Sequence, residues 1–372
     1  MMRWRICGST VALVITLAGI YFLQRYQKSA TIADAGKGAP VLEWPGSEWT
    51  HKSPEETGTH AESLGNLAKL VEGSGFISRH GYEIYSWGEY KKQRYIASAM
   101  KPVISTLLLC AVQEGKLKGV DDTVATVQPG LAAINGGKDL SMTWRHLACM
   151  VSGYGLVEPP GAAWAYNDFA IALYYDTLVE KVFQEDGTDV LHSRLSGPLG
   201  FQDKSSFAST GVQGKLGLSA RDLARYGLCI LRRGKWRDKQ IIQEDLLGEM
   251  LHSPVPADIP AASGQEAAML PDQRSIGGGK NDCLPGQGIY SFNWWLNTPG
   301  PGGRRPLAAA PPDTILASGL WGKHTLWVIP SMDLIVVWNS SPILDQRESV
   351  NAADTKFNAA AKLIRECADS LP

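Results

Sequence analysis

The sequence lacks the patterns that hold metal ions or nucleotides. Its six cysteines form no Cys-x-x-Cys pair, and its seven histidines show no ligand spacing, so we expect no zinc site. The segment SIGGGKND (275–282) is not a phosphate-binding loop, because it lacks the spacing G-x(4)-G-K-[ST]. No G-x-S-x-G nucleophile elbow occurs either. A disulfide is possible in an oxidising compartment, but the cysteine spacing does not indicate which pair would form it.

The sequence also lacks an excess of either charge. Its 36 basic and 37 acidic residues give a formal net charge of −1, and no basic stripe with interleaved aromatic residues occurs. We therefore expect no nucleic acid partner and no bulk attraction to an anionic membrane. With 372 residues, of which 44% are hydrophobic, the chain can form one large domain or two coupled ones.

The N-terminus carries a long uncharged segment. Ile6–Leu23 follows the basic sequence MMRWR and contains eighteen apolar or small residues, which is just long enough to span a bilayer. Ala33-x-Ala35 leaves a cleaved signal peptide as an alternative, and a soluble helix is another. We predict an anchor or signal segment at 1–28, a linker at 29–60, and an exported body. That body would be membrane-anchored and face the periplasm or exterior, or be secreted if the segment is cleaved.

Strand patterns near both ends of the chain enclose a helical middle. The segment 75–90 mixes β-branched and aromatic residues with glycines, as a hairpin does, and similar patterns return from 286 to 339. Between about 120 and 230, helical periodicity and loops predominate. One sheet formed from both ends of the chain, with an inserted helical region, explains this order most simply.

Ser98 and Lys101 stand three residues apart at the start of a predicted apolar helix that ends near Leu117. Residues at this spacing share a helix face, and the first turn offers free N–H groups and the positive end of the helix dipole. A partly desolvated lysine there can have its pKa lowered enough to act as a base and activate the serine. Pro102 suits a first turn. Taken alone, however, the S-x-x-K pattern also fits a capping serine beside a solvated lysine.

Several segments in the same order resemble the serine β-lactamase and penicillin-binding-protein superfamily, in which S-x-x-K holds the nucleophile. They are YSWGEY…YIASAMKPV (85–103), LSMTWRHLACMVSGYG (140–155), GLSARDLARYGLCILRRGKW (217–236) and LWVIPSMDLIVVWNS (326–340). The resemblance extends from about residue 65 to 365 and is greatest to the class C-like branch of esterases, D-aminopeptidases and 6-aminohexanoate-oligomer hydrolases. It implies a β-lactamase/transpeptidase-like α/β fold for 61–372. An antiparallel sheet flanked by helices would face a helical subdomain at about 120–230 across a cleft.

The resemblance implies a second motif, Y-x-N, at residues 166–168. Tyr166 matches the tyrosine, which would pass protons between the serine and the lysine. Asp168 stands where the family has asparagine, and a carboxylate cannot donate an N–H group to a substrate carbonyl. Asp168 could pair with Lys101, bind a substrate amine, or only hold its own loop.

The third family motif, K-T-G, aligns with Leu320-Trp321-Gly322 in ASGLWGKHTLWVIP (317–330). In this alignment Trp321 and Gly322 line the substrate site, and the backbone N–H groups of Lys323 and Ser98 form the oxyanion hole. Leu320 replaces the cationic position that usually pairs with the carboxylate of a β-lactam or of D-alanine.

The resemblance therefore implies a serine hydrolase that cleaves an ester or amide of a small or peptide-like substrate. Ser98 would form the acyl-enzyme, Lys101 would be the general base, and Tyr166 would assist, without a metal or an organic cofactor. One alternative is a β-lactamase or penicillin-binding D-Ala peptidase on the same fold, which Leu320 disfavours. Another is a non-catalytic binding member of the family, which Asp168 favours. The substrate and the oligomeric state do not follow from the sequence.

Overall fold

The computed structural model describes residues 42–208, 214–252, 254–282, 284–342 and 350–368. The strands are β1 (Ser74–Arg79), β2 (Tyr82–Trp87), β3 (Arg94–Tyr95), β4 (Ser206–Phe207), β5 (Leu216–Leu218), β6 (Lys235–Trp236), β7 (Lys239–Gln240), β8 (Tyr290–Ser291), β9 (Trp294–Leu296), β10 (Ile315–Gly319), β11 (His324–Ile329) and β12 (Leu334–Asn339). The α-helices are α1 (Ala61–Val71), α2 (Lys101–Gln113), α3 (Trp144–Ala148), α4 (Asp168–Asp176), α5 (Gly187–Leu191), α6 (Ala220–Leu231), α7 (Glu244–His252) and α8 (Val350–Glu366).

Shorter helical turns connect these elements. The 3-10 turns are Glu55–Thr57, Ala97–Met100, Val124–Thr126, Pro129–Ala133, Asn135–Ser141, Pro301–Gly303 and Pro330–Met332, and the π-helical turns are Thr177–Phe183 and His192–Ser196. The turn Ala97–Met100 runs directly into α2, so the helix predicted to begin near Ser98 has its first turn in 3-10 geometry.

A seven-stranded antiparallel sheet is formed from both ends of the chain, as the strand patterns predict. Its order is β2-β1-β12-β11-β10-β9-β8, so the early hairpin pairs with the last strand. Phe76 of β1 pairs with Val337 of β12, and Val337 pairs in turn with Leu326 of β11. These buried apolar residues place the centre of the sheet in the hydrophobic core.

Both faces of this sheet are covered by helices. Every residue of β11 and β12 is buried, which is why these strands have near-continuous apolar sequences. Gly227 brings α6 close to β11, because a Cβ there would lie 2.8 Å from Leu326 Cδ1. Phe357 of α8 stacks on Trp327 of β11 with ring centroids 6.1 Å apart. The predicted antiparallel sheet flanked by helices is therefore confirmed.

The middle of the chain also contains short strands that the sequence patterns did not predict. β3, β5 and β4 form a three-stranded sheet, and β6 pairs with β7. Each of these strands has only two or three residues, too few to show an alternating pattern. β3 matters for the site, because it ends at Tyr95, three residues before Ser98.

The predicted anchor or signal segment and the first part of the predicted linker, residues 29–41, lie outside the described residues. Within the described ranges, no helix has the length and apolar character needed to cross a bilayer. Cys110, Cys149, Cys229 and Cys367 are buried free thiols.

Candidate active site

Ser98 lies on the 3-10 turn Ala97–Met100 that precedes α2. Ala97 has φ = 49°, in the left-handed region that residues other than glycine rarely adopt. Such backbone strain is most often kept where the chain must hold a side chain in a defined direction. Here the strained residue Ala97 directly precedes Ser98, which stays partly exposed while the next residues, Ala99 and Met100, are buried.

The Lys101 side chain brings the predicted residues together. Its Nζ donates to Ser98 Oγ at 2.6 Å and to Tyr166 Oη at 2.7 Å, and it lies 2.7 Å from Asp168 Oδ1. An ammonium group has three N–H donors; two of them are used by the hydroxyls of Ser98 and Tyr166, and the Asp168 carboxylate lies beside the amine as a counter-ion without hydrogen-bond geometry. With only 1% of the residue exposed, Lys101 is a buried cation surrounded by its acceptors.

The pKa of Lys101 differs from the sequence-based expectation. Burial alone would lower it, but the Tyr166 oxygen and the Asp168 carboxylate outweigh burial and hold the pKa above its ordinary value of 10.5. The expected lowering is therefore wrong. Two groups oppose burial: the Tyr166 oxygen contributes most, and the Asp168 carboxylate at the asparagine position adds to it, because a negative group in direct contact favours the charged form of the amine. Of the three roles considered for Asp168, the structure shows the pairing with Lys101.

Tyr166 is held by aromatic rings and by its backbone. Its ring stacks on Trp295 with centroids 6.1 Å apart and planes inclined by 15°, and it meets the edge of Tyr290. Its carbonyl accepts from Asp282 N at 3.0 Å. The ring therefore has little freedom, and its hydroxyl stays directed at Lys101.

Asp168 is the first residue of α4, and Asn167 caps that helix. The Asn167 side chain accepts from Ala170 N at 2.9 Å and donates to the Tyr154 carbonyl at 2.8 Å. The helix dipole favours a negative charge at this end. Sequence reasoning missed Asn167, although an asparagine directly before an apolar helical pattern is a common capping signal.

The third-motif alignment is wrong in this structure. Leu320 and Trp321 lie in the turn between β10 and β11, with φ values of 47° and 56°, and about half of each side chain is exposed. Gly322 follows in the same turn. The backbone N–H of Lys323 donates to the Leu320 carbonyl at 3.1 Å, so the turn already uses the donor that we assigned to the oxyanion hole.

Gly319, the last residue of β10, is the point where the sheet approaches the nucleophile. A Cβ built on Gly319 would lie 2.4 Å from the Ile96 carbonyl oxygen and 2.9 Å from Ser98 N, so only glycine fits this approach. The segment Ala317-Ser318-Gly319 therefore takes the place beside Ser98 that the alignment gave to residues 320–322. Trp321 follows two residues later in the turn, with about half of its side chain exposed.

No metal site accompanies this cluster. In the parts of the chain that the structure describes, histidine, cysteine and acidic side chains form no group of three or more that could hold a metal ion. What the cluster offers chemically is a serine hydroxyl, an amine that can exchange protons with it, and a phenol within reach of the same amine.

Residues 93–354 match the protein family model described as Beta-lactamase, which covers more than half of the chain. The chain belongs to the β-lactamase family. It is therefore a hydrolase of the serine hydrolase class, and its fold is β-lactamase/transpeptidase-like. No match was found among curated proteins.

Solved structures of several hydrolases are similar to this β-lactamase family member. A Bacillus anthracis protein assigned as a 6-aminohexanoate-dimer hydrolase has 14% identity and a TM-score of 0.61, with coverage of 89% of this chain and 91% of that one. EstCE1, a hydrolase with promiscuous acyltransferase activity, has 16% identity, a TM-score of 0.57 and coverage of 81% and 98%. A Yersinia pestis β-lactamase/D-alanine carboxypeptidase has 14% identity, a TM-score of 0.57 and coverage of 82% and 98%.

Proposed function

We propose that this protein hydrolyses an ester or amide through an acyl-enzyme formed on Ser98. The observation that carries the proposal is the position of Lys101 Nζ, which lies 2.6 Å from Ser98 Oγ and 2.7 Å from Tyr166 Oη. A serine nucleophile is activated when it is hydrogen-bonded to a base and a third group orients that base.

The reactive form is the neutral amine of Lys101. Ser98 Oγ attacks the carbonyl carbon while its proton passes to Lys101 Nζ, and the carbonyl π electrons move onto the oxygen. When the tetrahedral intermediate collapses, the leaving group departs with a proton from the Lys101 and Tyr166 pair. A water molecule then repeats these steps on the acyl-enzyme and releases Ser98.

The oxyanion needs backbone donors beside Ser98. One is the N–H of Ser98 itself, at the start of the helical segment that leads into α2. For the second we assign the N–H of Leu320. Leu320 follows Gly319, where an added Cβ would lie 2.9 Å from Ser98 N, and it lies beyond the last β10–β11 pair, Gly319 with His324.

An apolar acyl group is the substrate that fits the edge of the site. Leu320 and Trp321 expose about half of their side chains next to Gly319, and Tyr95, three residues before Ser98, is also exposed. Exposed apolar side chains beside a nucleophile favour an apolar ligand. A carboxylate-bearing β-lactam or D-alanine peptide has no cation between Ala317 and Gly322 to pair with, so we place those substrates second.

The test is labelling of the full-length protein with a fluorophosphonate, together with hydrolysis of chromogenic esters of two to eight carbons. We expect one labelled peptide, containing Ser98, and loss of labelling and turnover in Ser98→Ala. Ser63→Ala, at a partly exposed serine of α1, is the matched control and retains both. Equal turnover in Ser98→Ala and wild type would contradict the proposal.

Labelled penicillin distinguishes the second candidate. Stable acylation of Ser98 by penicillin, without ester turnover, would favour a penicillin-binding peptidase. Absence of both labels in a folded protein would favour the non-catalytic member of the family.

A further inference from the structure

The loop 275–282 lies directly on the segment that carries Tyr166 and Asp168. Asp168 N donates to the Gly279 carbonyl at 2.9 Å, and Asp282 N donates to the Tyr166 carbonyl at 3.0 Å. Tyr166 and Asp282 also form an isolated antiparallel bridge. This loop therefore contacts the backbones of two residues that contact Lys101.

Gly278 is the point of the loop nearest to the Asp168 carboxylate. A Cβ built on Gly278 would lie 2.3 Å from Asp168 Oδ2 and 2.7 Å from Asp282 Oδ2. Real Cβ atoms essentially never come so close to another heavy atom, so the carboxylate can keep this place only if residue 278 has no side chain.

The remainder of the loop fixes where Gly278 lies. Ser275 Oγ donates to the Gly278 carbonyl at 2.6 Å and accepts from Gly277 N at 3.1 Å. Gly279 N donates to the Asp282 carboxylate at 3.2 and 3.3 Å. The hydrogen bonds on both sides of Gly278 leave it little room to retreat from Asp168.

We propose that the loop 275–282 controls the protonation of Lys101, and that Gly278 is the positioning residue through which it does so. By leaving space for the Asp168 carboxylate, Gly278 keeps that carboxylate 2.7 Å from Lys101 Nζ. The inference rests on the proposed function in one respect: Lys101 must lose a proton before Ser98 reacts. Gly278 is not a catalytic residue, since it acts only through Asp168.

The charged and titratable groups around Lys101 allow this control. Tyr166 and Asp168 contact the amine, Tyr290 of β8 lies against the Tyr166 ring, and the Asp282 carboxylate lies, like that of Asp168, close to the position that a Cβ of residue 278 would take. Burial raises the pKa of Tyr290 well above 10, so Tyr290 remains neutral. The Asp168 carboxylate is thus the direct counter-ion whose distance decides how readily Lys101 gives up its proton.

Gly278→Ala tests the proposal. The new methyl group moves the carboxylate away from Lys101, which weakens the ion pair and makes the neutral amine easier to form. We expect the acid limb of kcat/KM to move to lower pH. The ratio of variant to wild-type kcat/KM should then be at least about threefold at pH 7 and should approach one only above the pKa of wild-type Lys101, since below its pKa an amine becomes about tenfold more neutral when that pKa falls by one.

Two companion variants separate this effect from a general disturbance of the loop. Asp168→Ala removes the carboxylate, and adding Gly278→Ala to it should move the acid limb no further. Gly279→Ala is the matched control. A Cβ there would lie 2.7 Å from Asp282 Oδ1 and no closer than 3.9 Å to Asp168, so we expect its acid limb to stay where the wild-type limb lies. If Gly278→Ala alone unfolds, recovery of the melting temperature in the double variant supports the same contact.

A readout that does not need turnover keeps this inference distinct from the proposed function. The 13Cε resonance of Lys101, assigned with Lys101→Arg, can be titrated in Ser98→Ala protein. A lower titration midpoint in Gly278→Ala, matched by Asp168→Ala and absent in Gly279→Ala, supports the inference even if no ester is turned over. An unchanged midpoint in folded Gly278→Ala, or an equal change in Gly279→Ala, would overturn it.

Discussion

Lys101 Nζ and Asp168 Oδ1 lie 2.7 Å apart in a site where Lys101 is almost fully buried. A buried lysine without a counter-ion would lose its proton, because burial disfavours the charged form. Tyr166 and Asp168 together reverse this and raise the pKa of Lys101, so the resting site carries an ammonium instead of a neutral amine. The family's asparagine at this position would leave the lysine nearer to its reactive form.

Asp168→Asn should therefore make the enzyme more active at neutral pH. The amide keeps the size of the side chain but removes the charge that stabilises the Lys101 ammonium. An opposite charge at this distance changes a pKa by about one or more, so we expect kcat/KM at pH 7 to rise by about tenfold and the acid limb to move to lower pH. The measurement is a kcat/KM profile from pH 6 to 11, so that it reaches the pH range in which wild-type Lys101 loses its proton.

Asp282→Asn is the matched control for that profile. It makes the same chemical change in the loop that holds Asp168, but the Asp282 carboxylate caps Gly279 N instead of contacting Lys101. Its acid limb should move much less. A lower kcat/KM for Asp168→Asn at every pH would mean that Asp168 contributes to the reaction in its charged form.

Tyr166→Phe should slow the reaction without preventing acylation. The phenylalanine ring can keep the stack on Trp295, but the hydroxyl that contacts Lys101 is lost. General acid and base catalysts contribute about a hundredfold or more, so we expect kcat to fall by at least that factor. Fluorophosphonate labelling should persist, because Lys101 still contacts Ser98.

Tyr154→Phe is the control that tests whether the loss in Tyr166→Phe comes from proton transfer. Tyr154 is also buried, but its hydroxyl bonds to Gln273 and Leu270 and not to Lys101. We expect nearly wild-type kcat for it. Comparable losses in both variants would indicate a packing effect instead of proton transfer.

The sequence predicted the large sheet and the convergence of Ser98, Lys101 and Tyr166. Alternation and apolar runs reflect burial directly, and Pro102 marks the first turn of α2. The third-motif alignment failed, because the end of β10 depends on positive φ angles at Leu320 and Trp321. Leucine and tryptophan rarely adopt such angles, so no local sequence pattern predicts the turn.

The pKa of Lys101 and the role of Gly278 were beyond sequence reasoning for a different reason. Both depend on contacts between residues that are distant in the chain, which folding alone brings together. The three consecutive glycines at 277–279 were a possible signal, since glycine often marks a close approach of backbone to another group. Their partner, the Asp168 carboxylate, could not be inferred from spacing.

Trp321→Ala should change acyl-chain preference. Its exposed side chain lies two residues beyond Gly319, the glycine packed against the Ser98 turn, and the proposed apolar acyl site includes it. Burying apolar surface stabilises a complex by about 25 cal/mol per Å², so a long chain gains from Trp321 and an acetyl group does not. We expect kcat/KM for an octanoate ester to fall by about tenfold and that for an acetate ester to change little.

Leu140→Ala is the control for Trp321→Ala, since Leu140 is another exposed apolar residue and lies in the 3-10 turn Asn135–Ser141. It should leave both esters unaffected. If Trp321→Ala reduces acetate and octanoate turnover equally, the side chain supports the turn and does not contact the acyl chain.

His324 should make the folded state less stable in mild acid. It lies in β11, is 4% exposed, and its Nδ1 is 3.2 Å from Asn339 Oδ1. Burial lowers the pKa of His324 from 6.5 to about 4. Below pH 6.5 the unfolded chain therefore binds a proton that the folded chain does not, so its contribution to stability is lost as the pH falls from 6.5 to about 4.

Urea unfolding of wild type and His324→Gln at pH 7 and pH 4.5 measures this effect. Between pH 7 and pH 4.5 we expect the free energy of unfolding of wild type to fall by up to about 3 kcal/mol more than that of the variant. The difference between the two proteins is the relevant quantity, because other groups also titrate in this range. Burial raises the pKa of Asp222 to about 6, so Asp222 makes the folded state more stable as the pH falls, which is opposite to the effect of His324. His51→Gln, at an exposed position, is the matched control. A wild-type to His324→Gln difference that stays constant between the two pH values would show that His324 does not carry the acid sensitivity.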